Sequence, residues 1–263
     1  MSNTNDKKTQ GVQSVDRAIS ILEVMAREGS PMTLSNISLE LKLNISTVHR
    51  LLSSLINHGL VEQDPYQGKY KLGIKAFEIG NRALYSLDIR SIVRPFLHQL
   101  VDDFNETTSL SIFDKHEVVY IDQVESKRLI KILARPGTRA PAYCTGAGKV
   151  FLAYISETDL ENYIKEVPLL PYTASTITDP NHLREELKKI RSQGFAIDQG
   201  EREEEVRCIA APLLNHENKI IAAISVSGPI KRMSHEINSS KLATAIVQVT
   251  HQLTQQLRYH RGL

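Results

Sequence analysis

The chain has 263 residues, 41% of them hydrophobic and 24% charged, with six Phe, nine Tyr and no Trp. That length accommodates two ordinary domains with a core each, and no run of about 18 apolar residues is present to span a bilayer as a helix. The formal net charge is +2; nine Lys and Arg face seven Asp and Glu in the first 75 residues, so the small basic surplus lies there, and it is too slight to imply nucleic acid by itself.

Residues 1–11 are polar and lack the apolar stretch of a signal peptide. They are expected to form a disordered tail on a cytoplasmic protein. The two cysteines, Cys144 and Cys208, show neither a CxxC pair nor metal-ligand spacing. No disulfide framework and no cofactor is expected, no metal ligand is nominated, and a zinc site would need Cys or His partners that only the fold brings together.

Residues 12–74 read as one module. Ser14 is a candidate N-cap, followed by Val15, Ala18, Ile19, Leu22 and Met25 at helical spacing. Gly29-Ser30-Pro31 breaks that helix. Thr33 opens a second helix with Ile37 and Leu41 inward, and Asn44 caps a third. In the third, Val48, Leu51, Leu52 and Leu55 form an apolar stripe. Ser46, Thr47, His49, Arg50 and Ser53 occupy the opposite face, and Gly59 ends the helix. Two short helices joined by a tight turn form a helix-turn-helix. Short hydroxyls, a His and an Arg are residue types that reach phosphates and base edges in a major groove.

Residues 60–63 and 69–72 flank a Pro/Gly loop and read as a hairpin, the wing of a winged helix. Lys69 and Lys71 lie two apart, share one strand face and are placed to meet phosphates. Each element alone has an ordinary explanation, a solvated face or a common hairpin. The ordered series favours DNA binding; winged helices that contact proteins are the competing reading.

Residues 75–90 are expected to be a linker helix, with Asp88 placed to cap the next helix and Pro95 near the first turn of that helix. Residues 91–263 change texture. β-rich runs at 108–113, 118–124 and 129–133 suggest an antiparallel meander, with an irregular loop over 135–141. Helices are expected over 150–154, 157–164, 181–192 and 236–258, a strand over 195–198, and a closing strand pair over 208–214 and 220–226. The fold class is α+β.

Gly146-Ala147-Gly148-Lys149 invites a phosphate-binding reading, but the P-loop spacing puts Tyr143 where a Gly is needed, and Val150 follows the Lys. The dinucleotide fingerprint fails as well, with Phe151 at the third Gly. What remains is a turn of small residues that lets a ligand approach backbone N–H groups at a helix start. No GxSxG or HExxH motif occurs, so no catalytic residue is nominated. Glu201, Glu203, Glu204 and Glu205 read as a solvated acidic loop. Cys208 is either a core thiol or a ligand-lining one.

Several segments together resemble the IclR family of bacterial regulators, over nearly the whole chain from Val12. They are Ser14-Val15-Asp16-Arg17-Ala18, Ser46-Thr47-Val48-His49-Arg50-Leu51-Leu52 and Gly59-Leu60-Val61 in the first module. In the second they are Gly137 through Pro141 to Gly146-Ala147-Gly148-Lys149, Gly200-Glu201, Arg207-Cys208-Ile209-Ala210-Ala211-Pro212, and Ala223-Ile224-Ser225-Val226-Ser227-Gly228-Pro229. The resemblance implies a GAF-like effector domain, an antiparallel sheet flanked by helices. It implies a homodimer or homotetramer acting as repressor or activator on a pseudo-palindromic operator. It also implies that a small organic acid is bound by Gly146, Ala147, Asp198, Val206, Cys208, Ser225 and Ser227. Ser225 and Ser227 alternate with Val226, so both hydroxyls lie on one strand face. Asp198 would repel an anion unless it meets a ligand hydroxyl or carries a proton. A DNA-binding regulator, a repressor by preference, is therefore the expected function. An enzyme or a protein-interaction protein with an accessory winged helix is the alternative.

Overall fold

The computed structural model describes residues 12–85, 89–233 and 236–259. The expected tail over 1–11 and the cap at Asp88 lie outside them. The chain divides into two compact units between residues 86 and 87.

In the first unit, α1 (Gln13–Glu28), α2 (Leu34–Leu41) and α3 (Ile45–Asn57) pack together. The helix α1 begins one residue before Ser14, with Val12 as its flanking residue, so Ser14 is not the cap. Its core face is Ile21, Val24 and Met25, whereas Val15 and Ile19 are about half exposed. Thr33 caps α2 by accepting the Asn36 N–H at 3.2 Å. Lys42 then turns left-handed (φ 52°), and the Ser38 hydroxyl donates to the Leu43 carbonyl. These bonds close the turn between α2 and α3 within three residues. Asn44 stands at the N-cap position of α3 but makes no side-chain capping bond. Strands β1 (Val61–Gln63) and β2 (Tyr70–Leu72) form an antiparallel hairpin. Asp64 shapes its loop by accepting the N–H groups of Tyr66 and Gln67. Tyr70 also bridges Met32, which ties the hairpin to the helices. Helix α4 (Ile74–Tyr85) follows within this unit.

The second unit opens with α5 (Ile89–Phe104), which carries Pro95 in its interior rather than in its first turn. Six antiparallel strands follow: β3 (Thr107–Asp114), β4 (Glu117–Val124), β5 (Arg139–Pro141), β6 (Ala196–Gln199), β7 (Val206–Leu214) and β8 (Ile220–Pro229). Their order is β5-β4-β3-β8-β7-β6. Helices α6 (Gly146–Tyr154), α7 (Glu157–Glu166) and α8 (Pro180–Gln193) share a core with that sheet. The short α9 (Ile230–Met233) and long α10 (Glu236–Tyr259) complete the unit. The architecture is α+β, a helix-turn-helix module followed by a helix-flanked antiparallel sheet.

The expected strand over 129–133 does not form. Leu129 is fully exposed and Ile130 is 73% exposed. The edge of β4 is taken instead by the segment read as an irregular loop. Gly137 donates to Tyr120 and Tyr120 to Thr138, and this aligns β5 on β4. β-prone side chains cannot make a strand without a free edge to pair with.

Candidate functional site

The first unit presents one polar helix face. The stripe Val48, Leu51, Leu52 and Leu55 is buried, which turns Ser46, His49, Arg50 and Ser53 to solvent and leaves Thr47 half-buried. The Ser53 hydroxyl donates to the His49 carbonyl, so in this conformation its hydrogen is already used. The wing differs from expectation in its charge. Lys69 precedes β2 and is half-buried. Lys71 lies on β2 directly opposite Glu62, and the two form an ion pair at 3.2 Å. The wing strand therefore carries a neutralised cation, because opposite charges across a two-stranded ladder pair up.

The second unit encloses a cavity of about 270 Å³ near the small end of ligand pockets, roughly 300 Å³ and above. The strand register builds its floor. Asp198, Cys208, Ser227 and Thr107 are successive cross-strand partners over four strands, so their side chains share one face. The next row on that face contains Ala210, Ser225, Ser109 and Gln123. Of the seven expected effector residues, Gly146, Asp198, Val206, Cys208 and Ser227 line the cavity. Ala147 is 1% exposed and packs in the core, and Ser225 is likewise 1% exposed.

The reason is the placement of α6. A Cβ on Gly146 would lie 3.1 Å from Cys208 Sγ and 3.6 Å from the Ala210 side chain. The helix start therefore packs on Cys208 and on Ala210, the cross-strand partner of Ser225. Gly148 permits a second close approach, to the segment before the helix, since a Cβ there would come within 2.2 Å of the Ala142 carbonyl oxygen. Thr145 caps α6 by accepting the Gly148 N–H.

Sequence reasoning missed Tyr120, Gln123, Arg139 and Arg202, which also line the cavity. Tyr120 and Gln123 have opposite parity along β4. A register shift between Leu110 and Ser111 leaves Ile121 unpaired and brings both onto the cavity face. No sequence signal marks that bulge. Arg202 was hidden in the acidic loop.

Glu201 departs from the solvated-loop reading as well. It is 4% exposed and accepts from Lys149 Nζ at 2.5 Å. Lys149, 1% exposed, also meets Glu186 at 3.2 Å and the Ile197 carbonyl at 2.8 Å. Only Glu203, Glu204 and Glu205 are exposed. Burial disfavours the Lys149 ammonium, but the facing carboxylates outweigh it and hold the pKa above the ordinary lysine value. Burial pushes Asp198 up to about 6, against the opposing pull of the Glu201 N–H and Lys149. It pushes Glu201 up to about 7, against Lys149. Burial also pushes the thiols of Cys144 and Cys208 up to about 12, so neither is a thiolate nucleophile at neutral pH. Among the described residues, no three His, Cys, Asp or Glu side chains converge as a metal site, and no helix is long and apolar enough to cross a membrane.

The family model described as IclR helix-turn-helix domain matches residues 14–65. The model described as bacterial transcriptional regulator IclR C-terminal matches residues 81–255. The HTH-type transcriptional regulator XynR of Escherichia coli K12 is 37% identical over 82% of this chain and 86% of its own length. The transcriptional repressor IclR of the same organism is 34% identical over 87% and 84%. The crystal structure of Thermotoga maritima IclR superposes with a TM-score of 0.79 at 30% identity, covering 94% of this chain and 99% of that one.

Proposed function

Because the chain belongs to the IclR family of bacterial transcriptional regulators, we propose that it is an effector-gated repressor binding a pseudo-palindromic operator as a homodimer or homotetramer in the cytoplasm. It is a DNA-binding transcriptional regulator and not an enzyme, as the relatives named above are regulators.

In this reading Arg50, with Ser46, Thr47, His49 and Ser53, faces the major groove, and the wing lysines Lys69 and Lys71 approach phosphates. Two copies place two recognition helices about one helical turn, or a multiple of it, apart on the operator. A small organic acid occupies the cavity at Gly146, Asp198, Val206, Cys208 and Ser227. Ala147 and Ser225 act from behind that surface by shaping it. Binding favours one arrangement of the protein over another and so changes operator affinity.

The observation that carries the effector half is a cavity whose wall sets Asp198, Cys208, Ser227 and Thr107 in one polar row, beside two residues, Gln123 and Arg202, that each carry a donor without a partner. A wall of convergent polar groups suits a small polar ligand. The test is a footprint on DNA upstream of the protein's own gene, over a salt series, with and without a pool of small acids. Protection of a pseudo-palindrome that changes with the pool is the expected result. Protection that ignores every pool removes the gating, and absence of salt-sensitive DNA binding there and at distant operators removes the whole reading.

A further inference from the structure

Two residues of the cavity wall each carry a donor without an acceptor. Arg202 Nη1 and Gln123 Nε2 are both shielded from solvent and without a hydrogen-bond partner. Arg202 has no ion-pair partner among the described residues either, although Asp198 and Glu203 line the same cavity. Its guanidinium lies 5.5 Å from the centroid of the Tyr172 ring, a stacking contact that fixes the fork in place. Its charge reaches Tyr120 and Cys144, where it opposes the upward push of burial on their pKa values.

A buried guanidinium N–H with no acceptor is costly, and a carboxylate is the group that satisfies it best, through charge-assisted bonds. The opposite requirement holds at Asp198. That carboxylate repels an anion brought against it and accepts from a hydroxyl. The cavity wall therefore carries both a cation and a carboxylate acceptor, and no ion pair joins Arg202 to Asp198.

We propose that Arg202 is a specificity-determining residue that takes the carboxylate of the effector, with Gln123 donating to a further ligand oxygen and Asp198 accepting from a hydroxyl. The effector is then a small hydroxylated monocarboxylic acid. This rests on the reading of the cavity as the effector site. An acid without hydroxyls leaves Asp198 facing apolar ligand surface, and a polyol without a carboxylate leaves Arg202 unsatisfied.

The experiment is calorimetric titration of the full-length protein with gluconate and its shorter homologues down to glycerate, alongside hexanoate and sorbitol. At least one hydroxy acid binds, and hexanoate and sorbitol bind it at least about tenfold more weakly. Arg202→Gln weakens the hydroxy acid by about 10- to 100-fold, Arg202→Lys by less, and Gln123→Met several-fold, with circular dichroism confirming each fold. Should Arg202→Gln not fold, Arg202→Lys is read in its place, and weaker acid binding with unchanged sorbitol binding is the expected result. Sorbitol or hexanoate binding as tightly as the acid, full acid affinity in both Arg202 variants, or no binding by any hydroxy acid of the set overturns the assignment. In each of those cases, an operator footprint that still responds to a metabolite extract leaves effector gating standing, whereas loss of that response removes both.

Discussion

The Asp198 carboxylate accepts the main-chain N–H of Glu201 at 2.8 Å. One strand residue thus joins the cavity it lines to the ion pair that Glu201 makes with Lys149 beneath it. The loop after β6 is held at both ends of this arrangement, and Arg202 is the next residue in that loop.

That linkage has a pH signature. Asp198 and Glu201 hold their protons more tightly in the folded protein, at about 6 and about 7, than ordinary carboxylates do. The folded state then binds more protons than the unfolded one between about pH 4 and 7, so stability falls as pH rises through that window. Asp198→Asn keeps the acceptor oxygen and removes the charge. We expect it to raise stability near pH 8 by about 1–3 kcal/mol and to flatten the decline between about pH 4 and 6. Urea denaturation at the two ends of the range measures this; a decline as steep as in the unaltered chain would contradict it.

Lys149 offers a test of the buried pair. Lys149→Met leaves Glu201 and Glu186 without their shared cation and should cost about 3 kcal/mol or more. The double change Lys149→Met with Glu201→Gln should recover part of that loss, since no charge is then stranded at the buried position. Denaturation midpoints of the two variants decide it: a double variant less stable than the single one would mean that Glu201 stabilises the loop without Lys149.

On the DNA side, Arg50 is exposed and is not a member of the core cluster of its unit. Arg50→Ala should alter stability by no more than about 0.5 kcal/mol. It should weaken operator binding by about 1–3 kcal/mol if the guanidinium reads a base edge. Gel-shift titration against specific and random duplexes separates this from a phosphate contact, which would weaken both equally.

The Glu62–Lys71 pair predicts a gain. Glu62→Gln releases Lys71 from its cross-strand partner. Affinity for random duplex DNA should rise, and the slope of log affinity against log salt should steepen by about one. An unchanged slope would show that the wing does not reach phosphate.

Much of the molecule could be read before any coordinates. The α3 stripe, the hairpin after Gly59, the closing strands of the second unit and the α+β class follow from periodicity and punctuation, which are local. Ser225 was placed on the correct face of β8 by its alternation with Ser227. The failures share one cause. The run at 129–133 has strand-forming side chains and no edge to pair with, while Arg139–Pro141, which lacks them, was delivered to that edge by the Pro136-Gly137 turn.

The amino-acid sequence by itself determined the two-module plan, the polar face of α3 and the small-residue turn at Gly146, because helical and strand periods and turn residues act over a few neighbours. Tertiary structure alone decided that Ser225 is buried away from the cavity wall, that Tyr120 and Gln123 share a face across a bulge, that Lys71 is neutralised, and that Arg202 lines the cavity. Burial, register and ion pairing depend on which distant segments meet, and a local pattern carries no information about that meeting.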